Sequence, residues 1–130
     1  MSNELDALFV DGKEIDKKLV AEILLPYVKI DKNTCEIRPL RPWNDTKAYI
    51  KILIYLLARK AMVAWGLNIE EAASNTEIIS NTGLKRGTVH PAVRQLYDEK
   101  NLEQTKEKKY YVPNYSIEKV KSMISQGQGE

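Results

Sequence analysis

The strongest hydrophobic pattern in the chain lies in residues 46–65 and predicts a long buried helix. Apolar residues recur at helical spacing on one face, and a second apolar set lies around the side. The first set is Ile50, Leu53, Ile54, Leu57, Ala61 and Trp65, and the second is Ile52, Leu56 and Val63. Two apolar faces need more than one neighbour. The pattern favours a homodimer, although a core helix inside one chain would show the same pattern.

Basic residues interrupt this apolar run and argue against a membrane span. Lys51, Arg59 and Lys60 break it well short of the roughly 20 apolar residues that a spanning helix needs. We therefore expect a buried helix and no membrane partner.

The N-terminal part predicts a helix followed by a β-hairpin. The apolar positions of residues 10–23 follow helical spacing, and Pro26 ends that helix or kinks it. These positions are Ile15, Leu19, Val20 and Ile23. Two alternating segments, 27–31 and 34–40, then indicate antiparallel strands, with Lys32 and Asn33 as the turn between them.

A proline-containing connector, RPLRPWND, leads from the hairpin to the long helix. Asp45 or Thr46 would supply the oxygen that caps the start of that helix.

Residues 76–114 predict two helices separated by a glycine turn and followed by a basic hairpin. Asn75 or Thr76 can cap the first helix, and Glu77 favours the positive end of its dipole. Gly83 supplies the left-handed residue that ends it, with Leu84 packing back. This order is the outline of a winged helix-turn-helix.

The second helix of the motif is expected to extend to about Lys100, with one face buried and one exposed. The core-facing positions are Val89, Val93 and Leu96, with Ala92 beside them; the exposed ones are His90, Pro91, Arg94 and Asp98, flanked by Gln95. Proline in a helix interior costs about 3 kcal/mol, whereas in the first turn its missing donor has no partner to lose. We therefore expect a late start, capped by Arg86 or Gly87, with a kink at Pro91 as the alternative.

Basic residues stand at both ends of this unit. A late start would hold Lys85 and Arg86 beside the helix N-terminus, where free N–H groups and the helix dipole favour a phosphate. Beyond the helix, segments 102–105 and 110–112 predict two short strands joined by the turn KEKK, which forms a wing. Three lysines of this wing would project into solvent: Lys106, Lys108 and Lys109. The sequence KEKK fits equally well a solvated hairpin turn that binds no ligand.

The remaining segments close the core. Tyr110 or Tyr111 would turn inward from the wing. A last amphipathic helix at 116–124, capped by Ser116, would bury its apolar face, and the tail 126–130 should be disordered. That face consists of Ile117, Val120, Met123 and Ile124.

Composition narrows the possible functions. The 130 residues, 43% of them apolar and 29% charged, fit one globular domain. The net charge is only +2, but residues 1–45 carry −2 and residues 46–130 carry +4, so the basic excess lies with the motif. Cys35, the single cysteine, is expected to be a small buried residue on a strand. The start of the chain has no signal-peptide pattern, which favours a cytoplasmic location.

No catalytic constellation is visible in the sequence. There is no Ser/His/acid set, no useful Cys/His pair and no phosphate-binding glycine loop. His90, the only histidine, cannot build a metal site alone and is expected to be exposed, either without a dedicated role or as a DNA contact. We therefore expect neither an enzyme nor a cofactor.

Residues 76–115 resemble the winged-helix DNA-binding domains of prokaryotic transcription regulators. The segment GLKRGTVHPAVRQLYDEKNLEQ is similar to their recognition-helix pattern, in which a glycine turn leads to Thr-Val and then to a helix that ends before the wing. The ending YYVPNY resembles small uncharacterised winged-helix proteins of archaea. The resemblance covers about a third of the chain, or about three fifths if residues 46–65 are the first helix of the domain.

This resemblance implies a regulator that binds double-stranded DNA. It assigns base-groove contacts to Thr88, His90, Pro91, Arg94 and Gln95, and phosphate contacts to Lys85, Arg86, Lys106, Lys108 and Lys109. Two positions depart from the family pattern: Ile79 stands where a small residue is usual, and Pro91 cannot read a base edge by hydrogen bonding.

The acidic residues near this face favour a second interpretation, a winged-helix module that binds another protein rather than DNA. They are Asp98, Glu99, Glu103 and Glu107.

The expected fold is thus α+β and mainly α. A helix and β-hairpin extension occupies residues 1–45, a winged helix-turn-helix domain occupies 46–125, and a disordered tail follows at 126–130.

Overall fold

The structure, a computed structural model, describes residues 15–126 and has an α+β fold that is mainly helical, as the sequence predicts. Its elements are α1 (Lys17–Leu24), β1 (Val28–Asp31), β2 (Glu36–Pro39), α2 (Ala48–Trp65), α3 (Asn75–Thr82), α4 (Arg86–Asp98), β3 (Glu103–Gln104), β4 (Tyr110–Tyr111) and α5 (Ile117–Gln126). Two 3-10 turns, Arg41–Asp45 and Asn114–Ser116, precede α2 and α5. The expected first residues of the N-terminal helix, 10–14, and the expected tail beyond Gln126 lie outside the described residues.

The helix α2 forms the centre of the core. Every residue of 52–60 is buried, because α1, α3, α4, α5 and β4 all contact this helix. Both apolar faces seen in the sequence are therefore covered within the chain along most of their length. Near the C-terminal end, Val63 and Trp65 remain exposed. The pattern that favoured a homodimer is explained by packing inside one chain.

The start of α2 differs from the prediction. The helix begins at Ala48 after Lys47, and no side chain caps it, so the expected cap at Asp45 or Thr46 is wrong. The Thr46 hydroxyl donates instead to the carbonyl of Trp43 at 2.7 Å. That hydroxyl completes the preceding 3-10 turn and cannot serve the helix.

The predicted N-terminal helix and hairpin are both present and share the core of the rest of the chain, but α1 begins at Lys17, so Ile15 lies before the helix instead of on its apolar face. Asp16 caps α1 by accepting from the amide of Leu19 at 3.0 Å, and the helix ends before Pro26. Its buried face packs against α2 and α5. That face consists of Val20, Ile23 and Leu24.

The hairpin β1–β2 is antiparallel, but its turn has four residues rather than two. Cys35 lies in this turn, half-buried and with a φ of 60°, and not on a strand as expected. The Asp31 carboxylate closes the turn by accepting from the amides of Asn33 and Thr34. It also pairs with the Arg38 guanidinium, and this hydrogen bond, together with those from the two amides, lowers the pKa of Asp31.

The C-terminal helix α5 buries the predicted face, with Ile117, Val120 and Ile124 in the core. Ser116, the expected cap, directly precedes the first residue of α5. It lies in the 3-10 turn Asn114–Ser116, is buried, and donates its hydroxyl to the carbonyl of Lys100 at 3.3 Å.

Between α2 and α3, the single residue Ala73 pairs with the β3–β4 hairpin as a one-residue strand. Ala73 forms a bridge to Tyr110, with N–H···O=C bonds of 2.9 and 2.8 Å in the two directions. On its other side β4 pairs with β3, Glu103 standing opposite Tyr111. The order from α2 onward is therefore helix, one-residue strand, two helices and hairpin.

Candidate functional site

The helix α3 has a closed N-terminus. The Ser74 hydroxyl accepts from the amide of Glu77 at 3.2 Å, and the Glu77 carboxylate accepts from the amide of Ser74 at 3.0 Å. The predicted cap at Asn75 or Thr76 is therefore wrong, because serine with glutamate three residues later forms a capping box. Burial alone would raise the pKa of Glu77, but these hydrogen bonds and the charge of Arg59 outweigh it and leave the pKa lowered.

The turn between α3 and α4 follows the prediction. Gly83 ends α3 with a φ of 76°, and its amide donates to the carbonyl of Ile79 at 3.1 Å. Leu84 is half-buried and packs against the core. The glycine is needed here because a left-handed residue with a Cβ is strained.

The helix α4 begins earlier than expected. Its first residue is Arg86, so Pro91 is the sixth residue, and the predicted late start is wrong. The missing donor of Pro91 would have paired with the carbonyl of Gly87, four residues earlier. Both residues are exposed, so water can satisfy that carbonyl, and the helix continues to Asp98.

In contrast to α3, the N-terminus of α4 is open. No side chain caps it, and Lys85, Arg86 and Thr88 are exposed. Within residues 15–126, no carboxylate pairs with either Lys85 or Arg86. The positive end of the helix dipole and two basic side chains therefore stand together in solvent.

The outward face of α4 borders an open groove of about 700 Å³, whose other walls come from the start of α3 and from β4. His90, Arg94 and Gln95 are exposed there as predicted. The groove is lined by Asn75, His90, Pro91, Arg94, Gln95, Asp98, Glu99 and Tyr110. The fold thus brings four of the five predicted base-contact residues, all but Thr88, beside β4.

Polar contacts within this groove are weak or exposed. The Nδ1 atom of His90 lies 3.4 Å from Nδ2 of Asn75. The Nε atom of Arg94 is 3.9 Å from an Asp98 oxygen, and both side chains are largely exposed. Such exposed pairs contribute about 0–1 kcal/mol, so these side chains can exchange their partners for a ligand.

In the wing, two of the three predicted lysines point into solvent. Lys106 and Lys108 are exposed, and no carboxylate of residues 15–126 pairs with them. Lys109 differs, because its Nζ lies 2.6 Å from Oε1 of Glu70, and this hydrogen bond raises the pKa of Lys109. The prediction that Lys109 projects freely is wrong: the bridge at Ala73 brings the segment carrying Glu70 alongside it.

The base of the wing packs on the core as expected. Tyr110 is half-buried against it and makes an edge-to-face contact with Tyr97, with ring centroids 6.0 Å apart. Its hydroxyl accepts from Gln104 at 2.9 Å. Tyr111 is half-buried as well.

Two buried basic residues that the sequence showed only as interruptions fix the motif in place. The Arg59 guanidinium donates to the Tyr55 hydroxyl at 2.9 Å and to three consecutive carbonyls at 2.6, 3.2 and 3.1 Å. Those carbonyls belong to Glu70, Glu71 and Ala72. Arg59 therefore holds the segment that leads into the bridge and α3. The sequence did contain a signal for this role: an arginine within an apolar helix is expected to be buried, and a buried charge needs hydrogen-bond partners.

Lys60 is buried beside it and is also satisfied. Its Nζ lies 2.6 Å from Oε2 of Glu71 and donates to Oδ1 of Asn114 at 2.8 Å. These contacts link α2 to the loop before α3 and to the turn before α5.

Two other kinds of feature are absent from residues 15–126. No group of three or more His, Cys, Asp or Glu side chains is arranged there to hold a metal ion. In the same range, no helix combines the length and the apolar character needed to cross a membrane. Comparison with known proteins finds no match to this chain, whether among protein-family models, curated proteins or solved structures.

Proposed function

We propose that this protein binds double-stranded DNA as a winged-helix transcription regulator, through α4 and the β3–β4 turn. The observation that carries the proposal is the open N-terminus of α4. An uncapped helix start flanked by two exposed cations without carboxylate partners in the described residues is a site for a phosphate.

The order of elements supports the same proposal. From α2 to β4 the chain runs through a helix, a one-residue strand, two helices and a hairpin, as expected of a winged helix-turn-helix. The bridge at Ala73 and the salt bridge between Lys109 and Glu70 hold the hairpin beside the helices.

Contacts between basic side chains and phosphates, more than hydrogen bonds to base edges, would supply the affinity for DNA. We define the outward set as four exposed residues: Lys85, Arg86, Lys106 and Lys108. These would contact phosphates, while Thr88, His90, Arg94 and Gln95 would face the major groove. Pro91 offers no donor on that face, and Asp98 is negatively charged. We therefore expect modest sequence preference and a steep dependence on salt.

A titration of a fluorescent DNA duplex tests the proposal at low salt. The outward variant replaces all four residues of the outward set with alanine. A control variant makes the same charge change at four exposed basic residues elsewhere: Lys18, Lys29, Arg41 and Lys47. We expect the outward variant to lose affinity for all duplex sequences alike and the control variant to keep most of it, with unchanged thermal unfolding in both. No binding by the unmodified protein would overturn the proposal.

The alternative, a protein-interaction module, is favoured by negative charge on the same face. Asp98 and Glu99 line the groove, and Glu107 lies in the wing turn. The two functions respond differently to Asp98→Asn with Glu99→Gln. On a DNA-binding surface, removal of these charges should raise affinity for DNA, whereas on a protein-binding surface no DNA affinity should appear.

The expected homodimer stays a prediction. Because α2 is covered within the chain except near its C-terminal end, where Val63 and Trp65 are exposed, its full length cannot serve as the dimer interface. Sedimentation velocity at micromolar concentration tests it, and a monomer under those conditions would contradict it.

A further inference from the structure

Lys109 differs from the other two wing lysines because its side chain turns back towards the body of the protein. Its Nζ lies 2.6 Å from Oε1 of Glu70, a residue that stands thirty-nine positions earlier in the chain. The charge of Lys109 also interacts favourably with Glu77, which belongs to the capping box of α3. The side chain of Lys109 is therefore held beside the loop before α3 and the start of that helix.

The backbone of the same lysine closes the wing turn, residues 105–109. The Thr105 amide donates to the carbonyl of Lys109 at 2.8 Å, and the Thr105 hydroxyl accepts from the Lys109 amide at 3.1 Å. Within the turn, the amide of Lys108 donates to the carbonyl of Thr105 at 3.0 Å. A displacement of Lys109 would therefore also move Lys106 and Lys108, the two wing residues of the outward set.

The partner of Lys109 is a firm anchor because its own backbone is fixed. The buried Arg59 guanidinium donates to the carbonyl of Glu70 at 2.6 Å. A few residues later, Ala73 pairs with Tyr110, the direct neighbour of Lys109. An exposed ion pair is weak partly because two flexible side chains lose entropy when they pair. Here the backbone is already fixed on both sides, so less freedom remains to be lost.

Electrostatics alone would assign Glu70 the opposite role. A carboxylate near a DNA-binding surface repels phosphates, so its removal should raise affinity for DNA. Glu107, in the wing turn, is a carboxylate of this kind, because it is exposed and forms no salt bridge within residues 15–126. The charge of Glu70 is instead paired with Lys109. Removal of these two carboxylates should therefore change DNA affinity in opposite directions.

We propose that Glu70 is a positioning residue for DNA binding, which acts through Lys109 to hold the wing turn where Lys106 and Lys108 reach phosphates. This inference rests on the proposed function. In this arrangement Lys109 anchors the wing from the inside and contacts no phosphate, contrary to the role that the family resemblance implies for it.

Titrations of a fluorescent DNA duplex at low salt with Glu70→Gln and Glu107→Gln test the proposal, because each variant loses one carboxylate near the wing. We expect Glu70→Gln to weaken binding by about two- to fivefold, the range of a single exposed ion pair. Glu107→Gln should leave affinity equal or raise it. An affinity of Glu70→Gln equal to or above that of the unmodified protein would overturn the proposal.

A second background separates positioning from a merely structural role. In a protein that already carries Lys106→Ala and Lys108→Ala, no lysine of the outward set remains in the wing to be positioned. There Glu70→Gln should leave DNA affinity unchanged or raise it, because the effects of coupled residues are not additive. A two- to fivefold loss in that background as well would identify a general loss of structure and would overturn the proposal.

Hydrogen exchange in the free protein tests the anchor without DNA. Relative to their intrinsic rates, the amides of Thr105 and Lys108 should exchange about two- to fivefold faster in Glu70→Gln and unchanged in Glu107→Gln. Unchanged exchange in Glu70→Gln would overturn the inference even if the protein binds DNA, and the proposed function would stand. Absence of DNA binding by the unmodified protein would overturn the proposed function and the inference with it.

Discussion

Two groups of basic side chains in this protein differ in burial and in their partners. The inward set, Arg59 and Lys60 on α2, is buried, and every cation in it has protein partners. The outward set, Lys85, Arg86, Lys106 and Lys108, is exposed and has no carboxylate partner within residues 15–126. The same chemical groups therefore serve structure in one place and remain available to a ligand in the other.

The two helix starts of the motif repeat this contrast. In α3 the chain supplies its own anion, because Glu77 accepts from the amide of Ser74. In α4 the chain supplies cations and no cap. A helix start that the protein neutralises by itself has little to offer an anion, whereas an open start flanked by cations has much. This difference is the reason why the proposed function assigns phosphate binding to α4 and not to α3.

The largest effect should follow from removing an inward cation. Arg59→Met leaves the carbonyls of Glu70, Glu71 and Ala72 without their donor. We expect the free energy of unfolding to fall by about 3–5 kcal/mol, because several carbonyls lose hydrogen bonds to a charged donor at once. Urea denaturation measures it. Arg94→Met, at an exposed position, is the control and should change stability by less than about 0.5 kcal/mol. A loss below about 1 kcal/mol for Arg59→Met would contradict the structural role of the inward set.

The next effect lies in α4. Pro91→Ala restores a donor opposite the carbonyl of Gly87, in a helix that runs without interruption from Arg86–Asp98. We expect thermal and urea unfolding to show a gain of about 1–3 kcal/mol. DNA affinity should change little, because no cation is altered. A loss of stability would contradict this expectation, and it would show that the rigidity of proline stabilises this turn by more than the missing hydrogen bond costs.

Two glycines of the motif should respond in opposite directions. Gly83 has a φ of 76°, so Gly83→Ala should destabilise the protein by about 1 kcal/mol through backbone strain alone. Gly87 lies in the first turn of α4, and a Cβ there would meet nothing within 4 Å. Gly87→Ala should therefore stabilise it by about 0.5–1 kcal/mol. Equal effects of the two changes in urea denaturation would contradict the assigned turn.

A smaller effect concerns the closed start of α3. The folded-state pKa of Glu77 lies below its ordinary value of 4.5. Its contribution to stability is therefore fully present above that value and is lost as the pH falls through the lower folded-state pKa. Urea denaturation across acidic pH should show that Glu77→Gln loses less stability on acidification than the unmodified protein. If stability fell equally with pH in the two proteins, Glu77 would not be the source of this pH dependence.

Much of the fold follows from local patterns in the sequence. The spacing of Val89, Val93 and Leu96 predicts the buried face of α4, and Gly83 predicts the turn before it. The details that failed depend on competition between neighbours. Thr46 has the right chemistry for a cap, but its hydroxyl is used by Trp43, and Ser74 caps α3 one residue earlier than expected.

The candidate site was less accessible to sequence reasoning, because its organisation depends on contacts distant in the chain. Nothing local to KEKK distinguishes Lys109 from Lys108, yet Glu70, thirty-nine residues away, pairs with one of them. The buried roles of Arg59 and Lys60 likewise depend on the loop before α3. Exposure along α4 follows from helical periodicity, and the predicted exposed positions were therefore correct.

The salt dependence of DNA binding tests the central claim most directly. The slope of log affinity against log salt concentration counts the phosphates that the protein neutralises, at about 0.9 per phosphate. If the outward set contacts the backbone, the slope should be shallower by roughly 3 to 4 in the outward variant and unchanged in the control variant. Equal slopes for the unmodified protein and the outward variant would contradict the assignment of this surface.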